Sequence, residues 1–494
     1  MSSVPTLAGA TRAARQTFQG AKEWAERATG GPARLQVILL LASILALDAA
    51  DKATVSVVAK NLKQVFHIGN TEIGILIACT SFAGALITLP IGSLVDRVNR
   101  KRVLLITIAL WTAAMIVSGT ATSFIYLLVT RLFLGAVTAS ASPTVASLTG
   151  DFFPGRERAG IYGLVLSGEL IGAGLGFFYA GEVASLIDWR WAFYLMALPS
   201  AIVLWLIWRY LPEPAHGGKS PIRVGQLSVS SPQGGEKDGK SANSEGEEIA
   251  DSMRRVGIEP REQLVLQDDP RRRSIWWAVR YLLRIPTYRV LIIASSLGYY
   301  FFAGIRGFAM IYLTQHYGIS RSTLSALIII VGLGAIAGLL LGARVSNWMR
   351  ERGHMQARIT VPGVALLIAA LFFAPGIWTK SVWLGITLLT LGTAALVAAN
   401  PPIDAARLDI VPPLMWGRGE SGRMALRALL EGGAPVLFGA VSEWLGGGES
   451  GLKWTYLLML IPVLIASSLA IPAYKTYPRD VVTAHASAEA TDED

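Results

Sequence analysis

Residues 92–102 read GSLVDRVNRKR. One Asp and four Arg or Lys stand between two long apolar runs, 73–94 and 103–121. Crossing ~30 Å of hydrocarbon takes roughly 20 apolar residues. A basic loop between two runs of that length marks a turn on the cytoplasmic side of a membrane protein.

The whole chain has the same character. Of its 494 residues, 52% are hydrophobic and only 16% are charged; soluble domains carry about 25% charged residues. The net charge of +10 is concentrated in short loops between apolar runs. That pattern is an orientation signal, so nucleic acid is not expected as a partner. The one cysteine, Cys79, has nothing to pair with in the chain, and the five histidines are scattered. The glycine runs 172–176 and 174–178 lie inside apolar spans, where they cannot form a phosphate-cradling turn. Neither enzyme activity nor a metal or other cofactor is expected.

Taken in order, apolar spans fall at about 35–60, 72–95, 103–121, 124–148, 159–183 and 191–211. After a break they resume at 290–313, 324–345, 359–378, 382–401, 424–445 and 454–474. The expected organisation is a cytoplasmic N-terminal tail (1–34), a six-helix bundle (35–212), a disordered linker (213–270), an amphipathic interfacial helix (271–288), a second six-helix bundle (289–475) and a C-terminal tail (476–494). The linker is rich in Gly, Ser, Glu and Lys and offers too little apolar surface to offset its ordering entropy. The 271–288 segment mixes Trp276, Trp277 and Tyr281 with Arg273, Arg280 and Arg284, which suits the headgroup layer. The basic loops alternate along the chain and place both termini and the linker in the cytoplasm. Gly342–Arg350 repeats the spacing of Gly92–Arg100 without its acid, and repeated halves are a transporter pattern.

Several stretches together resemble the major facilitator superfamily: the opening loop, RLFLGAV around Arg131, GDFFPGRERAG at 150–160 and DWRWAF at 188–193. The resemblance implies an all-α membrane protein, with twelve transmembrane helices in two six-helix bundles, working by alternating access in the plasma (inner) membrane. Within the superfamily, Asp51-Lys52-Ala-Thr-Val, the glycines 172, 174 and 176, and RIPTYR at 284–289 resemble the Spinster-like lysolipid transporters. The fourth-span Arg and the WRWAF segment are shared with organic-anion symporters. Thr138 stands where the Spinster-like pattern has an acid, so no proton role passes to that position. In the family the loop acid meets the N-terminus of the eleventh helix, and the loop arginine meets the end of the fourth. The resemblance therefore implies a conformational latch of Gly92, Asp96, Arg97, Arg100, Lys101 and Asp151, with the eleventh helix starting near Gly422.

Ionisable groups inside the bilayer cost about 2.5–3.5 kcal/mol each on insertion scales and mark a pathway. The candidates are Asp51, Lys52, Arg131, Glu169, Arg306, Arg427 and Glu431. Asp51 suits proton coupling or a gating pair, or an ion pair that holds the first helix to a neighbour. Lys52 suits an anionic headgroup. Arg131 and Arg306 suit a phosphate or carboxylate, and Glu169 is the preferred protonatable group. Arg427 and Glu431 are four apart on one helix face and either neutralise one another or touch substrate. Asn400, Pro401 and Pro402 are expected to break the tenth helix. With no nucleotide site, a proton gradient is the expected energy source. The expected partners are protons, the lipid bilayer and a small amphipathic or anionic substrate (lysolipid-like) or drug-like compounds, with the protein acting as a monomer. A small organic anion is the alternative cargo.

Overall fold

The computed structural model describes Glu26 and residues 29–68, 70–214, 257–319 and 321–492. Most of the 1–34 tail and residues 215–256 of the expected linker lie outside these. In hydrocarbon every backbone N–H and C=O must be satisfied within the segment, so each apolar run folds as a helix. Twelve helices result: α1 Pro32–Phe66, α2 Asn70–Val95, α3 Arg100–Gly119, α4 Phe124–Phe152, α5 Arg158–Leu186, α6 Trp189–Tyr210, α7 Pro286–Tyr317, α8 Arg321–Glu351, α9 Ala357–Trp378, α10 Val382–Ile410, α11 Trp416–Trp444 and α12 Gly448–Thr491. Eleven contain a long apolar crossing stretch; α2 contains a shorter one, Cys79–Val95.

Two separate apolar cores follow the two halves. One is built from α1–α6. The other is built from α7–α12 and the segment before them, with Tyr162 and Leu166 entering from α5. Within each half small residues set the closest approaches. Gly168, Gly172 and Gly176 of α5 lie on the backbone of Ala42, Ala46 and Ala50 of α1, and a Cβ on any of them would overlap it. Gly338 and Gly342 of α8 lie in the same way on Ala394 and Ala398 of α10. Helices in lipid have no hydrophobic drive to associate, so such approaches supply much of their packing. Gly174, from the same run, faces open space.

The tenth helix is broken, as expected, at Asn400, Pro401 and Pro402: an interruption at Ala399 separates Val382–Ala398 from Asn400–Ile410, which carries the proline pair in its first turn. Two other expectations change. Residues 476–492 are not a bare tail but a continuation of α12. Their average polarity hides a stripe of Tyr477, Val481 and Ala484, all buried. Residues 257–270 are not free linker either. Leu264 and Leu266 are buried, and this segment bonds to α12 through Arg261 and Asp480 (3.0 Å) and through Leu266 N–H and Ser487 (3.1 Å).

Gly172→Val should lower the melting temperature of the detergent-solubilised protein by several degrees, since overpacking costs typically 1–3 kcal/mol. Gly174→Val should leave it unchanged. Equal effects would refute the α1–α5 contact.

Candidate transport pathway and its gate

Asp96 lies just beyond α2, at 2% exposure, and accepts hydrogen bonds from the N–H groups of Gly417 (2.8 Å) and Arg418 (3.1 Å). The first N–H groups of a helix have no partner of their own, and the helix dipole favours an anion there. Asp96 thus meets the N-terminus of α11, which starts at Trp416, six residues before the expected Gly422. The first turn of α11, WGRGES, is too polar to be recognised as a span but is helical nonetheless. A Cβ on Gly92 would overlap Ser421, so only glycine lets α2 come this close to α11. Burial outweighs the nearby Arg418 and pushes the Asp96 carboxyl up from its ordinary 3.8 to about 7.

Of the remaining latch residues, Arg100, Lys101 and Asp151 hold the loop within the first half, while Arg97 reaches the segment that precedes the second. Arg100 is buried and bonded to Asp151, to Ser147 (3.2 Å) and to the Pro214 carbonyl (2.6 Å), and it pairs with Glu213 at 3.2 Å. Lys101 gives its backbone N–H to Glu213 (2.7 Å). Arg97 donates to the Arg273 carbonyl (2.8 Å), at the lead-in to the interfacial helix.

The second half contains a counterpart that motif reading missed. Arg358 pairs with Asp409 across the same 51-residue separation as Arg100 and Asp151. Arg358 and Arg350 both donate to the Gly155 carbonyl of the first half, and Arg158 lies 3.7 Å from Asp409. The degenerate repeat thus contributes to closure through its arginine rather than an acid. Ser142 of α4 donates to Glu420 of α11 (2.6 Å), which pairs with Arg407 (2.6 Å) and Arg423 (2.6 Å). The matched Arg–x50–Asp spacing was the available signal for Asp409; nothing comparable marked Glu420. Among the described residues, the ion pairs between halves lie at this basic-loop end or at mid-depth. The structure is therefore closed at the basic-loop face.

At mid-depth the predicted residues divide into two groups. Asp51 and Arg131 pair with each other at 2.8 Å, and Arg131 also donates to Ser118 (2.9 Å) and stacks over Phe193. Arg131 is wholly buried, and this pair ties α1 to α3, α4 and α6. The anion contact expected of Arg131 is not available in this arrangement. The others face one another. Lys52 pairs with Asp48 (2.6 Å) and keeps half its side chain exposed. Arg427 bonds to Glu431 (3.0 Å), reaches Glu169 across the halves (3.2 Å) and covers the Tyr299 ring. Arg306 pairs with Glu431 at 3.3 Å, next to Phe302.

Two chambers flank the Arg427–Glu169 contact. One, of about 90 Å³, is lined by Arg427 and includes the charged groups Asp48, Lys52 and Glu431 among small and apolar residues. The other, of about 40 Å³, is mainly apolar and includes Glu169, Leu166, Leu170, Phe302 and Leu396. Three cations (Lys52, Arg306, Arg427) meet three carboxylates (Asp48, Glu169, Glu431), so the site is electrically balanced.

The sequence model of the Major Facilitator Superfamily matches residues 41–419. The chain belongs to that superfamily. It is therefore a multi-pass membrane transporter, and its relatives within the superfamily are varied. The D-galactonate transporter of Escherichia coli is 24% identical over 65% of this chain and 69% of its own length. Human protein spinster homolog 1 is 29% identical over 40% of this chain, a match spanning only 38% of the human protein. The gallate transporter of Pseudomonas putida is 25% identical over 39% of this chain and 43% of its own length. A bacterial homologue of the human lysosomal transporter Spinster, solved in an inward-facing unoccupied conformation, has the same fold. It shows a TM-score of 0.57 and 19% identity over 91% of this chain and 98% of its own.

The gate and the Asp51–Arg131 pair each generate a prediction. A carboxyl with an elevated pKa in the closed gate binds its proton more tightly there than when exposed. Closure is then favoured at acid pH and weakens as pH rises through about 7. Hydrogen exchange at the Gly417 and Arg418 amides, corrected for intrinsic rate, should accelerate across that range in the wild type and not in Asp96→Asn. Identical profiles would disprove the assignment. Separately, Arg131→Gln leaves Asp51 buried without its partner and should cost about 3–5 kcal/mol. A large loss of melting temperature without any substrate is expected; an unchanged one would return Arg131 to the substrate pathway.

Proposed function

We propose that the protein is a proton-coupled secondary transporter of an amphipathic anion, whose head contacts Arg427 and Lys52. The observation that carries this reading is Arg427, which lines the chamber that holds Lys52 and Glu431, held across the halves by Glu169, which lines the second, mainly apolar chamber. A balanced site gives an anion no net attraction. A proton on Glu169 removes one negative charge and ends its pairing with Arg427, leaving a guanidinium fork for a phosphate or carboxylate. Proton and anion then bind in support of one another, which is the requirement for coupled movement. The apolar side chains beyond Arg427 supply a place for a tail. The chambers have room for only a few waters in this conformation, so loading requires the halves to part on the face away from the basic loops.

A small organic anion remains the second reading, favoured by the D-galactonate transporter, which matches over more of the chain than the spinster homologue does. A stabilisation screen of the purified protein against lysophosphatidylglycerol and galactonate separates the two.

In proteoliposomes preloaded with the compound that stabilises, Glu169→Gln should abolish accumulation driven by a pH gradient while exchange persists. Gradient-driven accumulation by Glu169→Gln at the wild-type rate would rule out this coupling.

A further inference from the structure

A pocket of about 440 Å³ lies outside the transport pathway, between the 263–268 segment and the short helix Ile275–Leu282. Its floor is fixed. Tyr281 donates to the Leu264 carbonyl at 2.7 Å, Leu266 is buried, and the segment is tied to α12 at Ser487 and Asp480. Arg273, Arg280 and Arg284 line it, with the amides of Gln263 and Gln267 and the indole of Trp277. Asp268 is the acid in the wall, and it is taken by Arg273 at 2.5 Å. Among the described residues Arg280 and Arg284 have no acidic partner. Two uncompensated guanidiniums in a concave site of ligand size, with amide donors beside them, fit a phosphate.

The surroundings indicate where that phosphate comes from. Trp276, on the same helix, is 79% exposed and Leu283 is 44% exposed. Arg284 precedes the first residue of α7, Pro286, by two positions, so the pocket opens where a membrane span emerges. An exposed indole and leucine beside a basic pocket at that depth match the headgroup layer, where apolar groups enter the acyl boundary and arginines meet anionic lipid.

We propose that this pocket binds the phosphate headgroup of an anionic phospholipid in the leaflet next to the basic loops. The bound lipid is not cargo: the pocket shares no residue with either transport chamber. Its wall continues into the gate. The carbonyls of Pro270 and Arg271 accept from Arg418, whose N–H holds Asp96. The headgroup therefore sits on the segment that braces the latch.

The test is binding of phosphatidylglycerol to the full-length protein in a neutral detergent, read by native mass spectrometry as retained lipid adducts over a concentration series. Phosphatidylcholine and inorganic phosphate serve as comparison probes. The wild type should retain phosphatidylglycerol over phosphatidylcholine. Arg280→Gln/Arg284→Gln should weaken retention by about thirtyfold, at ~1 kcal/mol per Arg near a charged surface. Arg272→Gln/Arg289→Gln, at exposed arginines outside the pocket, should not weaken it. If the first double variant is not monodisperse, the two single variants take its place, each expected to lose about fivefold. Undiminished retention in the pocket variants would overturn the proposal. So would inorganic phosphate competing as well as the lipid, which would make the site one for a soluble anion.

Discussion

The arrangement depends on one carboxylate meeting one helix end. Asp96 is buried against the first N–H groups of α11, so that a carboxyl of one half completes the backbone of the other. The surrounding contacts are of the same kind: Arg350 and Arg358 on the Gly155 carbonyl, Arg158 near Asp409, Ser142 on Glu420. Interdigitated apolar side chains could not separate at a water-facing surface without exposing them. Hydrogen-bonded charges can, because water replaces each partner at modest net cost. The two apolar cores stay largely within their own halves, with Tyr162 and Leu166 of α5 crossing into the second. The interface between halves is thus the part of the molecule best suited to open.

Deeper in, the same chemistry is used for a different purpose. Arg427 is contested by Glu431 on its own helix and Glu169 across the interface. Only the second pairing is sensitive to separation of the halves. In the proposed mechanism this charge-balanced cluster at the interface between halves is what ties protonation, anion binding and conformation together. Asp51 and Arg131 lie close by but serve the scaffold, binding α1 to its neighbours through a buried pair. Such a pair is costly to break by removing one member, though it adds little net stability over an apolar substitute.

The sequence made the twelve-helix fold legible because hydrocarbon imposes a length and a polarity that few residues can disguise. The Asp96 contact came from the family resemblance, and the structure supplies its physical reason: Gly92 and Asp96 are constrained by a close approach and a helix end, which demand particular residue types. Legibility failed where polarity and structure part company. WGRGES begins α11, the Tyr477–Val481–Ala484 stripe extends α12, and residues 257–270 dock on it, yet all read as polar connection. It failed again for charges. Asp51, Arg131, Arg427 and Glu169 are alike as intramembrane ions, and only their partners in space separate the scaffold pair from the cavity pair. Asp409 stood one step away, at the same distance from Arg358 as Asp151 from Arg100.

The central claim is that two rigid halves close at the basic-loop face through the Asp96 latch and open there in alternation with the opposite face. Pulsed electron resonance distances in lipid nanodiscs test it directly, with spin labels at Arg102 and Arg352 for one face and at Thr122 and Ser381 for the other. The account predicts two distances at each face whose populations are reciprocal: conditions that lengthen 102–352 shorten 122–381. A single distance at each face under all conditions, or both faces lengthening together, would contradict it.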